Sequence, residues 1–190
     1  TCHLGNGASL AAVKDGKCLD TSMGLTPLEG IPMGTRSGNI DPAVVGFISK
    51  TENLTALEIV DILNKKSGYL GVSGVSNDSR DLEAGMEKGD QRCKLALDIQ
   101  TKRIVDYIGS YYVQMGGIDI IVFTAGIGEN SSRCRHDVLN RLQVLGVELD
   151  DEANKKQREI VEITTKASKI RAFVIPTNEE LAIARETAAL

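Results

Sequence analysis

The apolar positions of this chain fall into short continuous runs and helical stripes, set apart by segments rich in glycine and polar residues. Residues 9–14 and 17–21 flank Asp15-Gly16. That pair predicts a β-hairpin, because an Asp-Gly turn accepts the positive φ a two-residue hairpin loop needs. Residues 22–40 are rich in Gly, Pro, Ser, Thr and Met and predict a long ordered loop, a length that in a compact domain is usually functional. Asp41-Pro42 predicts a helix to about residue 50, with Asp41 as N-cap and Pro42 in the first helical position. Thr55-x-x-Glu58 is a capping box opening a helix to residue 65, with Leu57, Val60 and Leu63 as its apolar positions.

Residues 68–80 predict a second loop, and 81–88 a short helix. A long helix is expected over 90–115, with Leu95, Leu97, Ile99, Ile104 and Ile108 as its stripe. The continuous apolar runs 119–123 and 170–175 predict buried strands. Helices are expected over 131–145 and 150–156, and a terminal one over 179–187 capped by Asn178. A hairpin followed by helices alternating with buried strands argues an α/β domain with a mixed sheet covered by helices. No Pro/Ser/Gly linker divides the chain, so one domain is expected.

Composition narrows the class. The chain has 190 residues, 42% of them hydrophobic and 25% charged, which suits a soluble globular domain with a real core. The net charge of -4, with no basic block, argues against nucleic acid and anionic membranes as partners. With no Trp and 4% aromatics, base-stacking platforms are not expected. No apolar run approaches the roughly 20 residues a spanning helix needs, and no signal peptide is visible. Cys2, Cys18, Cys93 and Cys134 have neither C-x-x-C spacing nor a histidine cluster, which favours reduced thiols in the cytoplasm over a disulfide framework or zinc site.

Three turns carry candidate chemistry. The first is His3-Leu4-Gly5-Asn6-Gly7-Ala8-Ser9, in which Gly5 and Gly7 allow backbone amides to approach an anion and Asn6 and Ser9 add donors. Only Thr1 and Cys2 precede it, so the chain is expected to be the later part of a larger protein. The second runs from Phe123 through Gly126, Ile127, Gly128, Glu129 and Asn130 to Ser131. It follows a buried strand and precedes a helix, the arrangement that binds phosphate through free amides and the helix dipole. The third, Ile175 to Glu180, sets two carboxylates at a helix start, where one can hold Mg²⁺ directly or through water. Taken singly, each has a plain structural reading. His3 suits a packed histidine, Arg36 a surface loop, Asp78 and Arg80 a helix cap, and Glu179 a first-turn acid favoured by the dipole.

The runs HLGNGAS, TSMGLTPLEGIPMGTRSGNIDP, SGYLGVSGVSND, VFTAGIGEN and IPTNEELAIARET, in this order and spacing, resemble the acetate kinase family of the acetate and sugar kinase/Hsp70/actin superfamily. The resemblance spans residues 1–187. It implies a ribonuclease-H-like (actin-like ATPase) α/β fold, reversible Mg²⁺-dependent (or Mn²⁺-dependent) phosphorylation of acetate by ATP, with ADP and acetyl phosphate as products, and a homodimer. It also implies that the chain is the C-terminal nucleotide-binding domain and that its partner N-terminal domain lies outside it. By resemblance His3, Leu4, Gly5, Asn6 and Gly7 form the phosphate turn, with His3 and Asn6 beside the transferring group and Arg36 stabilising the transition state. Asp78, Ser79 and Arg80 lie beside the adenosine, although relatives often carry an aromatic residue where Ser79 stands. Gly126, Ile127, Gly128, Glu129 and Asn130 hold adenosine and phosphates, and Glu179 is the Mg²⁺-linked carboxylate.

Two alternatives stay open on sequence. One is a propionate or butyrate kinase, because one methylene in an apolar pocket is worth only about 1–3 kcal/mol of discrimination. The other is a non-catalytic nucleotide-binding module of the Hsp70/actin kind. The chain by itself is expected to be inactive.

Overall fold

The computed structural model describes residues 1–156 and 159–189. The chain opens on β1 (Cys2–Leu4), β2 (Ala8–Lys14) and β3 (Lys17–Thr21), and continues through α1 (Ala43–Glu52), α2 (Ala56–Lys65), α3 (Gly68–Ser73), α4 (Ser79–Glu87) and α5 (Gln91–Met115). Then follow β4 (Ile120–Thr124), α6 (Ala125–Asn130), α7 (Ser132–Asn140), α8 (Asp151–Asn154), β5 (Val161–Glu162), β6 (Arg171–Val174) and α9 (Glu179–Ala188). The strands form one mixed sheet in the order β3-β2-β1-β4-β6-β5. β4 runs parallel to both β1 and β6, and the outer pairings are antiparallel.

The expected hairpin is present, with Asp15 at φ 51° and Gly16 at φ 74°, two consecutive left-handed residues as its turn requires. The capping box of α2 is formed: the Thr55 hydroxyl accepts from the Glu58 amide at 3.3 Å and Glu58 accepts from the Thr55 amide at 2.8 Å. The N-cap of α1 is Pro42 rather than the expected Asp41, which lies one residue further out and accepts the Ala43 amide at 2.9 Å.

Other expectations need correction. The opening turn is preceded by a strand of three residues, β1, held because it is paired on both sides, Cys2 to Leu10 and to Phe123. Residues 68–80 are not all loop. Gly68, at φ 59°, packs against the Met33 and Arg36 carbonyls and starts α3, whose Tyr69 is buried; burial there outweighs the poor helix propensity of a glycine-rich segment. The buried face of α5 is Cys93, Ala96, Gln100, Ile104, Ile108 and Tyr111, so Leu95 faces solvent. In α2 Ile59 and Leu63 are buried while Leu57 and Val60 are exposed. The expected helix 131–145 ends at Asn140 and continues as a single 3₁₀ turn, Gln143–Leu145, closed by Gly146 at φ 89°. β5, two residues long, is too short to carry a periodic signal.

The main core joins one face of the sheet (Cys2, Leu4, Leu10, Phe123 and Val174) to Ile104 and Ile108 of α5. A smaller cluster of Tyr69, Leu82, Cys93 and Ala96 seats α3 and α4 on the first half of α5. α1 and α9 bury no residue. Among the described residues no helix is long and apolar enough to cross a membrane.

Candidate functional site

The three mutually parallel strands place their carboxyl ends on one edge of the sheet, and each runs into one of the three turns singled out in the sequence. An open α/β sheet binds its ligands along such an edge.

After β1, the Gly5 amide closes a tight turn onto the Gly7 carbonyl at 3.1 Å, and the Asn6 carbonyl accepts from the Gly34 amide at 3.0 Å. This second bond ties the opening turn to the long segment 22–40. That segment is ordered because its backbone is bonded on several sides. Asn39 and Gly30 bond to each other at 2.9 and 2.8 Å, Ser37 donates to Leu63 at 2.9 Å, and Gln100 of α5 holds the Pro32 carbonyl at 3.0 Å. Ile31 and Met33 are fully buried beneath it. The segment brings Arg36 to the turn: a Cβ on Gly7 would lie 3.4 Å from Arg36 Nη1. That nitrogen otherwise meets the weak acceptor Met33 Sδ at 3.6 Å, so the guanidinium retains donors for an anion. His3 is half-buried in β1, between Ser9 and Thr124, on the face opposite Cys2 and Leu4. Leu4 lies fully in the core and offers the turn only its backbone.

After β4 the backbone turns at Ala125, which sits at φ 64°, and α6 begins there without an intervening loop. The glycines Gly126 and Gly128 therefore lie inside the helix rather than in a turn before it. Gly126 is open on its outer side, whereas Gly128 is buried against Phe123. Asn130 donates to the Gly126 carbonyl at 2.8 Å. Glu129 turns away from the cleft and accepts from the Thr177 amide and hydroxyl at 2.9 and 3.1 Å, which ties α6 to the turn after β6.

A cleft of about 770 Å³ opens between these elements. Gly5 and Asn6 line one end, Asn77, Asp78, Ser79, Arg80 and Glu83 form the α4 wall, and Gly126, Ile127, Asn130 and Ser131 form the opposite wall. The volume falls within the range of small-molecule and cofactor sites. Asp78 caps α4 through the Arg80 amide at 2.9 Å and also accepts from Arg80 Nε at 3.0 Å; hydrogen bonding from Arg80 pulls its carboxyl down to about 2. Thus Gly5, Asn6, Asp78, Ser79, Arg80, Gly126, Ile127 and Asn130 share one cavity, while His3, Gly7 and Arg36 flank its Gly5 end and Leu4, Gly128 and Glu129 support it from behind.

Asn77 and Glu83 line the cleft without having been sequence candidates, and Ser131 lines it from the end of the second turn. Glu83 lies inside the expected helix with no spacing signal of its own, and it is the burial of Ser79 and Leu82 that fixes which face of α4 meets the cleft. A further residue without a sequence signal is Arg135. Fully buried, it donates from Nη1 to the Gly128 and Glu129 carbonyls at 2.9 Å each and from Nε to Asn154 Oδ1 at 2.8 Å. It anchors the end of α6 to α8.

Glu179 sits in the first turn of α9, exposed. Among the described residues no group of three or more His, Cys, Asp or Glu side chains gathers as a metal cage. The donor set does not build a resident metal centre. Glu179 is not among the residues that line the cleft; a single exposed carboxylate of this kind has the chemistry to meet a Mg²⁺ whose other ligands are water and phosphate oxygens.

A mixed sheet with three central parallel strands, a leading hairpin and a nucleotide-sized crevice at the strand ends defines an α/β domain of the ribonuclease-H-like, actin-like ATPase class. Within that class the chain belongs to the acetokinase family, which it matches over residues 1–185. It is 65% identical over 185 residues to an acetate kinase of Aster yellows witches'-broom phytoplasma (strain AYWB), an alignment covering 97% of this chain and 45% of that protein. The crystal structure of Porphyromonas gingivalis acetate kinase superposes with a TM-score of 0.94 at 45% identity, over 99% of this chain and 47% of that one. A propionate kinase from Francisella tularensis superposes at 0.91, also at 45% identity, over 97% of this chain and 47% of that one. The chain spans about half the length of the curated relatives it matches.

Proposed function

We propose that the full-length protein transfers the γ-phosphoryl group of ATP to acetate, reversibly, forming acetyl phosphate and ADP, and that this chain is its C-terminal nucleotide-binding domain. The observation that carries the reading is the shared cleft: turns from β1 and β4 and the α4 wall line one nucleotide-sized cavity in a chain of the acetokinase family. Acetate is already ionised at neutral pH, so no strong base is needed. The difficulty is bringing an anionic carboxylate to an anionic phosphate, and the remedy is alignment with neutralisation of the equatorial oxygens.

Arg36 supplies the planar fork suited to those oxygens. The Gly5–Gly7 turn offers close backbone approach, and Asn6 adds an amide donor. His3 hydrogen-bonds the transferring group, and transfer is direct and in line. Glu179 is the carboxylate that would hold Mg²⁺, which would supply charge neutralisation on the phosphates. We assign the acetate-facing wall to the N-terminal domain of the full-length protein, so this chain on its own is expected to be inactive. We further propose a homodimer working in the cytoplasm, where the four free cysteines remain thiols.

The test is acyl phosphate formation by the full-length protein, trapped as hydroxamate. Product is expected with ATP and acetate, and its absence would leave only a nucleotide-binding module of the Hsp70/actin kind. Arg36→Ala should lower turnover by at least about 100-fold, within the range set by removing one transition-state donor; unchanged turnover would remove Arg36 from this role. Propionate is the second reading, favoured by the likeness to the Francisella tularensis propionate kinase. Competition between acetate and propionate in the same assay decides it.

A further inference from the structure

Two carboxylates face the cleft, and they differ in what they have left to give. Asp78 is engaged by Arg80, which reaches it with its backbone amide, Nε and Nη2. Glu83, one turn further along α4, spends one oxygen: Oε1 accepts the Ser131 hydroxyl proton at 2.7 Å. Ser131 Oγ is itself fixed, because it accepts the Cys134 amide at 3.0 Å as the cap of α7. Its single proton must therefore point at Glu83, and the carboxylate is held from one side in a set orientation. Among the described residues no donor reaches Glu83 Oε2. A half-buried carboxylate with an open acceptor position is an uncommon lining for a cavity meant for a polyanion.

The phosphates belong at the other end, with the Gly5–Gly7 turn and Arg36, because a carboxylate beside a triphosphate would repel it. Glu83 thus marks the end that receives the base. Ile127 lies on the facing wall and offers an apolar surface, and Ser79 is small enough to leave the space open. A base lying there presents its edge to an acceptor. Adenine carries an exocyclic amine, a neutral donor that matches a carboxylate acceptor.

We propose that Glu83, held by Ser131, is the specificity-determining residue for the nucleotide base, accepting a hydrogen bond from its exocyclic amine. The proposal rests on the nucleotide reading above, but it concerns binding and does not depend on the phosphoryl acceptor. The full-length protein is titrated by calorimetry with ATP and with purine riboside triphosphate, which differs from ATP only in lacking the exocyclic amine. The same pair is compared in the hydroxamate assay.

The wild-type protein should bind ATP at least about tenfold more tightly than the analogue, the difference expected for one charge-assisted hydrogen bond. In Glu83→Gln the side-chain NH₂ faces the amine, and in Glu83→Ala nothing does; in both the ratio should fall to about one. Ser131→Ala, which frees Glu83 to rotate, should lower the ratio less. A ratio near one in the wild type, or a ratio that survives in Glu83→Gln and Glu83→Ala, overturns the proposal. So does an equal loss of affinity for both nucleotides, which is the mark of a purely structural role. If the ratio behaves as expected but no acyl phosphate forms, the base reading stands and the kinase reading falls. If acyl phosphate forms while Glu83 leaves the ratio untouched, the reverse holds.

Discussion

Gly34 and Asn6 are held face to face. The Gly34 amide donates to the Asn6 carbonyl at 3.0 Å, and the place a Cβ would take on Gly34 is already occupied by the Asn6 side-chain oxygen, with the Asn77 carbonyl 2.9 Å away. The long segment 22–40 therefore presses directly on the Gly5–Gly7 turn and on the start of the α4 wall. Glycine is required here for close approach. In the full-length protein Gly34→Ala should displace the Asn6 amide and lower kcat/KM by about tenfold or more, because misplacement on the order of an ångström at a reacting centre has that effect. Steady-state kinetics beside a melting curve checks this. A melting loss with unchanged kcat/KM would show that Asn6 tolerates the shift.

Arg135 gives a prediction about stability. It is a fully buried cation whose hydrogen-bond partners among the described residues are all neutral oxygens, those of Gly128, Glu129, Asn154 and Lys156. Burial pushes its pKa down from the usual value, yet a guanidinium remains protonated at neutral pH. Arg135→Met should lower the unfolding free energy by about 3 kcal/mol or more, because several buried carbonyls lose their donor. Arg135→Lys should lose less, since one ammonium replaces only part of the fork. Denaturant titration of this chain measures both, and a loss below about 1 kcal/mol for Arg135→Met would show that water replaces the guanidinium.

These two contacts explain what the sequence could and could not disclose. Local chemistry was legible: Asp15-Gly16 makes its hairpin, Thr55 and Glu58 their capping box, and Asn178 caps α9 through the Leu181 amide at 3.1 Å. The three turns also stood out: the first two carry glycines, and the second and third lead from a strand straight into a helix. Long-range geometry was not legible. Arg135 lies in an ordinary helical run, and only folding sets it beneath α6. Leu95 looked like a core residue until the buried face of α5 was fixed by Cys93, Ala96 and Gln100. The positive φ at Ala125 is likewise invisible, because the glycine next to it is the residue expected to turn.

The cap on α4 makes a prediction about pH. Hydrogen bonds from the Arg80 side chain and then its backbone amide hold the Asp78 carboxyl down to about 2, from an ordinary value of 3.8. A folded-state pKa below the unfolded one means that the cap stabilises above the unfolded value and loses its contribution as pH falls through the folded one. Stability should thus decline between about pH 4 and pH 2 from this group. Asp78 and Arg80 are well exposed, with side-chain accessibilities of 35% and 86%, so solvent screening keeps the effect small. Asp78→Asn keeps a capping oxygen and removes the titration. Its stability curve should be flatter than wild type across that window, by denaturation at stepped pH. Parallel curves would mean that other carboxylates govern the acid limb.

The four cysteines divide by environment. Cys2 and Cys134 are desolvated, which raises their thiols to about 11 and about 12, and burial also raises that of Cys93. Cys18 lies exposed on β3. Only a thiolate attacks an aromatic disulfide at a useful rate, and access is needed as well. At pH 8 the native chain should therefore release one equivalent of thionitrobenzoate quickly, from Cys18, and the remainder only after unfolding in denaturant. Cys18→Ser should abolish the fast phase and leave the slow one intact. A second fast equivalent in the native state would place Cys134, a half-buried residue beside the Ser131 cap whose thiol is desolvated, in reach of solvent, and would mean that the α6–α7 junction opens on the timescale of the reaction.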